Sequence, residues 1–552
     1  MIIMKRSLLT KLLCFLLTVT MLLSLTVPAF AAEPTLTGSQ IPVILLGGDG
    51  TPLFDKDGKK VLDMNNWSLI LSDSDNSSVM DAVINVLQPF LLEGVLQNKW
   101  DRYYENLAKE VGELFEKVQL DENGNCTNGV TIWPPLIDQV KNDMQTDKRG
   151  EKGYYSLDDY RFWYDWRLDP IELADQLHDY IEGVKSATGA EKVSVISRCV
   201  GTNVVLAYIA KYGTDSLYGV GFNGSSSYGG EFIDEALSGK FYVDGEALER
   251  AMMDYQGYQG LMIPEFLIAT IDMLNKSGVM DSMSAVARAT IYKKLGQGVT
   301  SVLALSTMFT FPCYWGFVTA ENFETAKQYV FGDEGSEKRV KYAGLIEKLD
   351  NYHATVRTQL IPLVKSIKED GKNLGIISKY GYQILPICES ADVVSDEYAS
   401  VYRSSLGATT STVYDTLSDD YIAMRVAEGK GKYISPDKQV DASTCLFPDY
   451  TWFVKGSRHG HWTDYENSIL YSVVTADRQL TVDDLSLTQF FVYSEETDEA
   501  EPMTVENCHT EKWTAEKPAN LFQRFVAFFK SYINWVKQFF RFVSDMVAKR
   551  NG

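Results

Sequence analysis

Short apolar runs that end in glycine or polar clusters alternate along this chain with stretches of helical periodicity. Residues 41–46 (IPVILL) run into Gly47, Gly48, Asp49 and Gly50, which predicts a buried strand entering a tight glycine loop. Residues 160–166 form an aromatic, β-prone run. Pro170 stands where a first helical turn tolerates proline. Ile171, Leu173, Leu177, Tyr180, Ile181 and Val184 then supply the apolar stripe of a helix reaching about Gly189. Residues 192–197 (KVSVIS) predict the next buried strand, 203–212 a short apolar helix, and 217–222 another strand. This β-α-β-α-β order over 160–222 is that of a doubly wound, mostly parallel sheet, which places the chain in the α/β class.

The pattern changes after residue 229. Residues 230–370 lack alternating strands and read as helical, with an apolar, aromatic stretch over 260–332. Strand signals return at 373–378 and 451–454. A long helical insertion between two strands of one sheet is expected to cap the strand ends. Residues 79–118 also carry helical spacing. The expected organisation is a core in two parts, 32–229 and 371–475, interrupted by the cap 230–370. An acidic extension over 476–516, with short β-prone runs, and a basic helix over 517–552 follow it.

Both ends add information that the centre does not. Lys5, Arg6 and Lys11 precede an apolar run over 12–27, and Ala29-Phe30-Ala31 is a small-residue cleavage site. Residues 1–31 therefore read as a signal peptide, and the chain is expected to be exported. Within 521–547, Phe522, Phe525, Phe529, Ile533, Val536, Phe540, Val543 and Val547 share one helical face. Gln523, Lys530, Asn534, Lys537, Gln538 and Arg541 share the other. An aromatic face opposite a basic one suits contact with a membrane surface; packing on the core or on a partner is the alternative.

The formal charge of the 552-residue chain is −22, from 52 basic and 74 acidic residues, so no general attraction to nucleic acid is expected. Six cysteines remain once Cys14 leaves with the signal segment. None has C-x-x-C spacing, so no zinc or thioredoxin-type site is expected. No cofactor or metal is called for. If an exported chain forms a bridge, Cys388–Cys445 is the candidate pair.

The chemistry concentrates at Ser197-Arg198-Cys199-Val200-Gly201, between a predicted strand and a predicted helix. A nucleophile elbow needs that context, with small residues two positions to either side where strand and helix nearly touch. Ser197 and Gly201 meet the need around Cys199, whose thiolate would be the nucleophile. A buried structural cysteine is the bland alternative.

Several stretches carry a family resemblance. They are residues 42–53 (PVILLGGDGTPL), Tyr164-Asp165-Trp166-Arg167-Leu168, the elbow, and Phe311-Pro312-Cys313-Tyr314-Trp315. Over residues 40–475 the chain resembles the α/β-hydrolase superfamily, in its lecithin:cholesterol acyltransferase branch with bacterial lipase-like relatives. It departs from that pattern in having cysteine where G-H-S-x-G-G has serine. The resemblance implies an α/β-hydrolase sheet and a triad in the order nucleophile, acid, histidine.

Ser395-Asp396, followed by Ser405-Leu406-Gly407-Ala408, resembles the family's acid turn, with Glu397 in place of its glycine; Asp392 is the rival. His459 and His461 both follow the 451–454 strand at the triad position. Lys455-Gly456 before His459 resembles the family's Lys-Gly-x-x-His. The oxyanion hole would take the N–H of Val200 and one from Asp49 or Gly48. Asp165 and Arg167 read as a structural ion pair. The implied activity is hydrolysis of an ester or thioester of a hydrophobic, lipid-like acyl substrate. Acyl transfer and a non-catalytic lipid-binding protein are the alternatives.

Overall fold

The apolar runs become the middle of one eight-stranded sheet. The computed structural model describes residues 39–62 except 49, positions 89, 93, 94, 97–106 and 109, residues 116–132, 141, 143–150, 154–240 except 226, positions 247 and 250, residues 308–508 except 385–387, 485–487 and 495–496, and positions 530, 533, 534 and 537. The expected signal segment 1–31, Asp49, most of 79–118, residues 251–307 of the expected cap and most of the tail lie outside them.

The strands are β1 (Val43–Leu46), β2 (Tyr160–Phe162), β3 (Val193–Arg198), β4 (Leu217–Asn223), β5 (Asn373–Tyr380), β6 (Thr451–Lys455), β7 (Phe490–Ser494) and β8 (Glu499–Pro502). Their order across the sheet is β8-β7-β6-β5-β4-β3-β1-β2. Every neighbouring pair is parallel except β7 and β8. Strands β1, β5 and β6 are buried at every position, as expected of a parallel sheet covered on both faces. Alternation sorts the side chains: Ile44 and Leu46 enter one apolar cluster, Val43 and Leu45 another.

Helix α1 (Pro170–Thr188) starts where the sequence supplies a cap. The Asp169 carboxylate accepts from the Ile171 N–H at 3.0 Å, Pro170 takes the first helical position, and Gly189 closes the end at φ 69°. Helix α1 packs against α2 (Val200–Tyr212) on one face of the sheet. Helix α3 (Asp464–Thr475) lies across β3, β4 and β5 through Leu470, Val473 and Val474, which belong to the other cluster.

Between β4 and β5 the described part of the expected cap is helical. It includes Pro312–Trp315, Phe323–Phe331, Ala343–Tyr352 and Leu360–Glu369, the last packing on α2 and β5. The β-prone runs of the acidic extension become β7 and β8, so the sheet continues past residue 475. The outer strand β8 carries Glu499, Glu501 and Pro502, the charge and proline that discourage pairing with another chain. Lys530, Ile533, Asn534 and Lys537 of the tail are helical and exposed. No helix among the described residues is long and apolar enough to cross a membrane.

All six described cysteines are thiols, which corrects the expected Cys388–Cys445 bridge. The two side chains belong to different apolar clusters, and burial raises both thiols above the ordinary cysteine range.

Candidate functional site at the carboxyl ends of the strands

Strand β3 turns into helix α2 through one residue, Cys199, at φ 48° and ψ −130°. This left-handed backbone is strained for a residue with a side chain, and such strain concentrates at functional turns. The small neighbours are required by contact. A Cβ on Gly201 would stand 2.7 Å from the Gly47 carbonyl oxygen. A Cβ on Gly48 would stand 2.9 Å from Cys199 Cβ and 3.5 Å from its Sγ. Thus the loop after β1 runs directly against the elbow. Ser197 is buried, its hydroxyl 3.3 Å from that of Thr202.

The motifs scattered through the sequence meet at this loop. The Tyr164 hydroxyl donates to the Gly47 carbonyl at 2.5 Å, and the Trp166 indole N–H donates to the Thr51 carbonyl at 3.0 Å. Trp166 in turn stacks on Tyr314 and meets Phe311 edge-on, each at 5.8 Å between ring centres. The Asn203 amide, from the first turn of α2, donates to the Cys313 carbonyl at 3.0 Å. Arg167 is fully buried and pairs with both Asp165 oxygens, at 2.9 and 2.6 Å. It also donates to the carbonyls of Val118 and Val130, which ties residues 116–132 to the core.

Asp396 follows β5 and His459 follows β6, at the same edge of the sheet as Cys199. His459 Nδ1 lies 2.8 Å from Asp396 Oδ2, and the His459 backbone N–H donates to the Asp396 carbonyl at 2.9 Å. The other carboxylate oxygen accepts from the N–H groups of Tyr398 and Ala399, at 3.1 and 2.8 Å. Both side chains are buried, and the Tyr398 ring packs 4.7 Å from the imidazole. His459 Nε2 is buried with no hydrogen-bond partner among the described residues.

The rival positions are engaged elsewhere. Asp392 is largely exposed and pairs with Arg250 at 2.7 Å. His461 Nδ1 accepts the Arg458 N–H at 3.3 Å. Burial, reinforced by Lys379, Arg458 and Arg198, pushes His461 down to about 3. His178 stacks on Tyr212 and His353 on Phe323. Of the oxyanion candidates, Val200 is the first residue of α2, Gly48 faces Cys199, and Asp49 lies outside the described residues.

Sequence reasoning did not find the charged frame around His459. Arg458 pairs with Glu397 in a buried contact, and Lys379 pairs with Glu466 at 2.9 Å. Arg198, next to the nucleophile candidate, donates to the Gly460 carbonyl at 3.0 Å and lies over the Trp462 ring. A lysine inside the otherwise uncharged run 373–380 was the available signal for Lys379. Among the described residues, no group of three or more histidine, cysteine or acidic side chains is arranged to hold a metal ion.

No family model matches the chain, and no curated protein matches it. Among solved structures, a chain of the Tle4–Tli4 complex is similar at 15% identity and a TM-score of 0.24, over 63% of this chain and 76% of that chain. The fold described by the chain itself is α/β, with a mostly parallel sheet.

Proposed function

We propose that this chain is an α/β-hydrolase of the lipase-like kind, cleaving an ester or thioester of a hydrophobic acyl substrate. The observation that carries the reading is His459. One ring nitrogen is fixed on Asp396, and the other is buried without a hydrogen-bond partner among the described residues, at the strand edge that also bears the strained Cys199.

In this reading the Asp396 carboxylate holds His459 with its proton on Nδ1, leaving Nε2 free to act as base. Nε2 takes the thiol proton as Cys199 Sγ attacks the acyl carbonyl. The oxyanion that forms accepts from the Val200 N–H and from the glycine loop, through Asp49 or Gly48. Collapse breaks the bond to the alcohol or thiol leaving group, which receives the proton from His459. Water then attacks the acyl-Cys199 thioester, giving its proton to His459. Collapse releases the carboxylic acid and returns the proton to the thiol. The aromatic stretch Phe311–Trp315, packed on Trp166, whose indole holds the Thr51 carbonyl, supports an apolar acyl group. Export through residues 1–31 and contact of 517–552 with a lipid surface complete the proposal.

The test compares the mature protein with Cys199→Ala and His459→Ala on short- and long-chain chromogenic esters and thioesters. Turnover falls by at least ~1,000-fold in both variants. Turnover that survives in either one overturns the triad.

A further inference from the structure

We propose that Lys379 and Glu466 are positioning residues for His459; the inference rests on reading Cys199, His459 and Asp396 as a triad. Lys379 lies in β5 and Glu466 in the first turn of α3, and their side chains are 1% and 0% exposed. An ammonium has three protons to donate and no acceptor capacity. Lys379 Nζ has three acceptors: Glu466 Oε2 at 2.9 Å, the His461 carbonyl, and the Arg458 carbonyl at 3.5 Å. Glu466 Oε1 accepts from the Ser457 hydroxyl at 2.5 Å, and Oε2 also accepts from the Asn223 amide at 3.2 Å. The pair therefore grips residues 457, 458 and 461, on both sides of His459.

The same lysine lies near the acid. A Cβ on Gly224 would stand 3.2 Å from Lys379 Cε and 3.6 Å from Asp396 Oδ2, so the lysine stem and the carboxylate converge on one glycine. Burial works against the Lys379 charge, as does Arg198 nearby, whereas Glu466 and Asp396 favour it.

Stability alone does not account for this arrangement. A buried ion pair is commonly no more stabilising than an apolar pair of similar volume, because two charges have lost their water. An apolar pair, however, has nothing to offer the carbonyls of residues 458 and 461. Their orientation sets where the imidazole of residue 459 stands relative to the elbow. A displacement of ~1 Å there is enough to cost on the order of 100-fold in rate.

The experiment uses the full mature chain and two readouts. One is the rate of Cys199 alkylation by iodoacetamide against pH, followed by mass spectrometry. The other is turnover of the ester panel. The wild-type thiol labels faster than free cysteine near neutral pH. Lys379→Met/Glu466→Gln removes both charges together and leaves neither unpaired. It folds, and both rates fall about 100-fold with KM unchanged and the pH profile displaced. Ser457→Ala frees one end of the loop at the cost of a single hydrogen bond, and slows both rates by roughly 3- to 10-fold. Lys379→Arg, which keeps the cation, recovers most of the rate.

Wild-type rates and pH profile in folded Lys379→Met/Glu466→Gln overturn the inference and leave the triad standing. If that variant does not fold, wild-type rates in Ser457→Ala overturn it. A wild-type thiol that labels no faster than free cysteine overturns the triad, and this inference with it.

Discussion

Arg458 and Glu397 each stand one residue from a member of the Asp396–His459 pair, and their side chains form a second ion pair buried beside it. Glu397 pairs from a left-handed backbone at φ 88°, a conformation that glycine adopts without strain. Its N–H is held by the Ser395 hydroxyl at 3.0 Å, and the Arg458 guanidinium also lies 4.1 Å over the Tyr382 ring. Glu397→Gly relieves about 1 kcal/mol of backbone strain but leaves a buried guanidinium without its carboxylate, which costs about 3–5 kcal/mol. The single variant is thus expected to lose about 2–4 kcal/mol. Adding Arg458→Met restores part of that, with a coupling energy of about 1–3 kcal/mol in a double-mutant cycle. Urea unfolding of the four proteins measures it; strictly additive effects would show that the pair contributes nothing of its own.

Gly48 is closed to any larger side chain. Since an added methyl would stand 2.9 Å from Cys199 Cβ, the glycine loop or the elbow has to move. Gly48→Ala is expected to fold and to lose about 100-fold in turnover. Steady-state kinetics beside a thermal melt separate this from global damage, because the melt changes little.

Tyr164 holds the same loop from a remote part of the chain. Its hydroxyl donates to the Gly47 carbonyl, so Tyr164→Phe removes that hydrogen bond and little volume. The expected cost is about 1 kcal/mol in stability and up to ~10-fold in kcat. An unchanged kcat would detach this tyrosine from the proposed oxyanion loop.

His461 gives the fold a specific acid response. Its folded value is pushed down to about 3 by burial and by its cationic neighbours, against about 6.5 for an ordinary histidine. The unfolded chain therefore binds the proton first. This contribution to stability is complete above pH 6.5 and is lost as pH falls toward 3, at about 1.4 kcal/mol per pH unit. Replacing His461 with Gln removes the slope. The stability difference between wild type and His461→Gln should therefore shift in favour of the variant between pH 6.5 and 4. Parallel pH dependence of the two proteins in denaturant titrations would contradict the assignment.

The pattern of residues determined much of this protein unaided. Apolar runs of four to eight residues, Asp169-Pro170 at a helix start and Gly189 at its end are local signals, and β1 to β6 with α1 and α2 follow them within a few residues. The elbow was legible for the same reason, since strand, small residues and helix are adjacent in sequence. Tertiary structure decided the partnerships. The family resemblance puts Asp396 ahead of Asp392 and His459 ahead of His461, but no local signal brings an aspartate and a histidine together. Which of them meet depends on β5 and β6 lying side by side and on the turn that Glu397 takes between them. The β-prone runs after residue 475 joined this sheet by pairing on the outer side of β6. Lys379 found its counter-charge on a helix that follows the next strand of the sheet. Local propensity acts within a few residues of the chain, whereas the partner of a buried charge is set by the packing of segments far apart in it, and no periodicity records that choice.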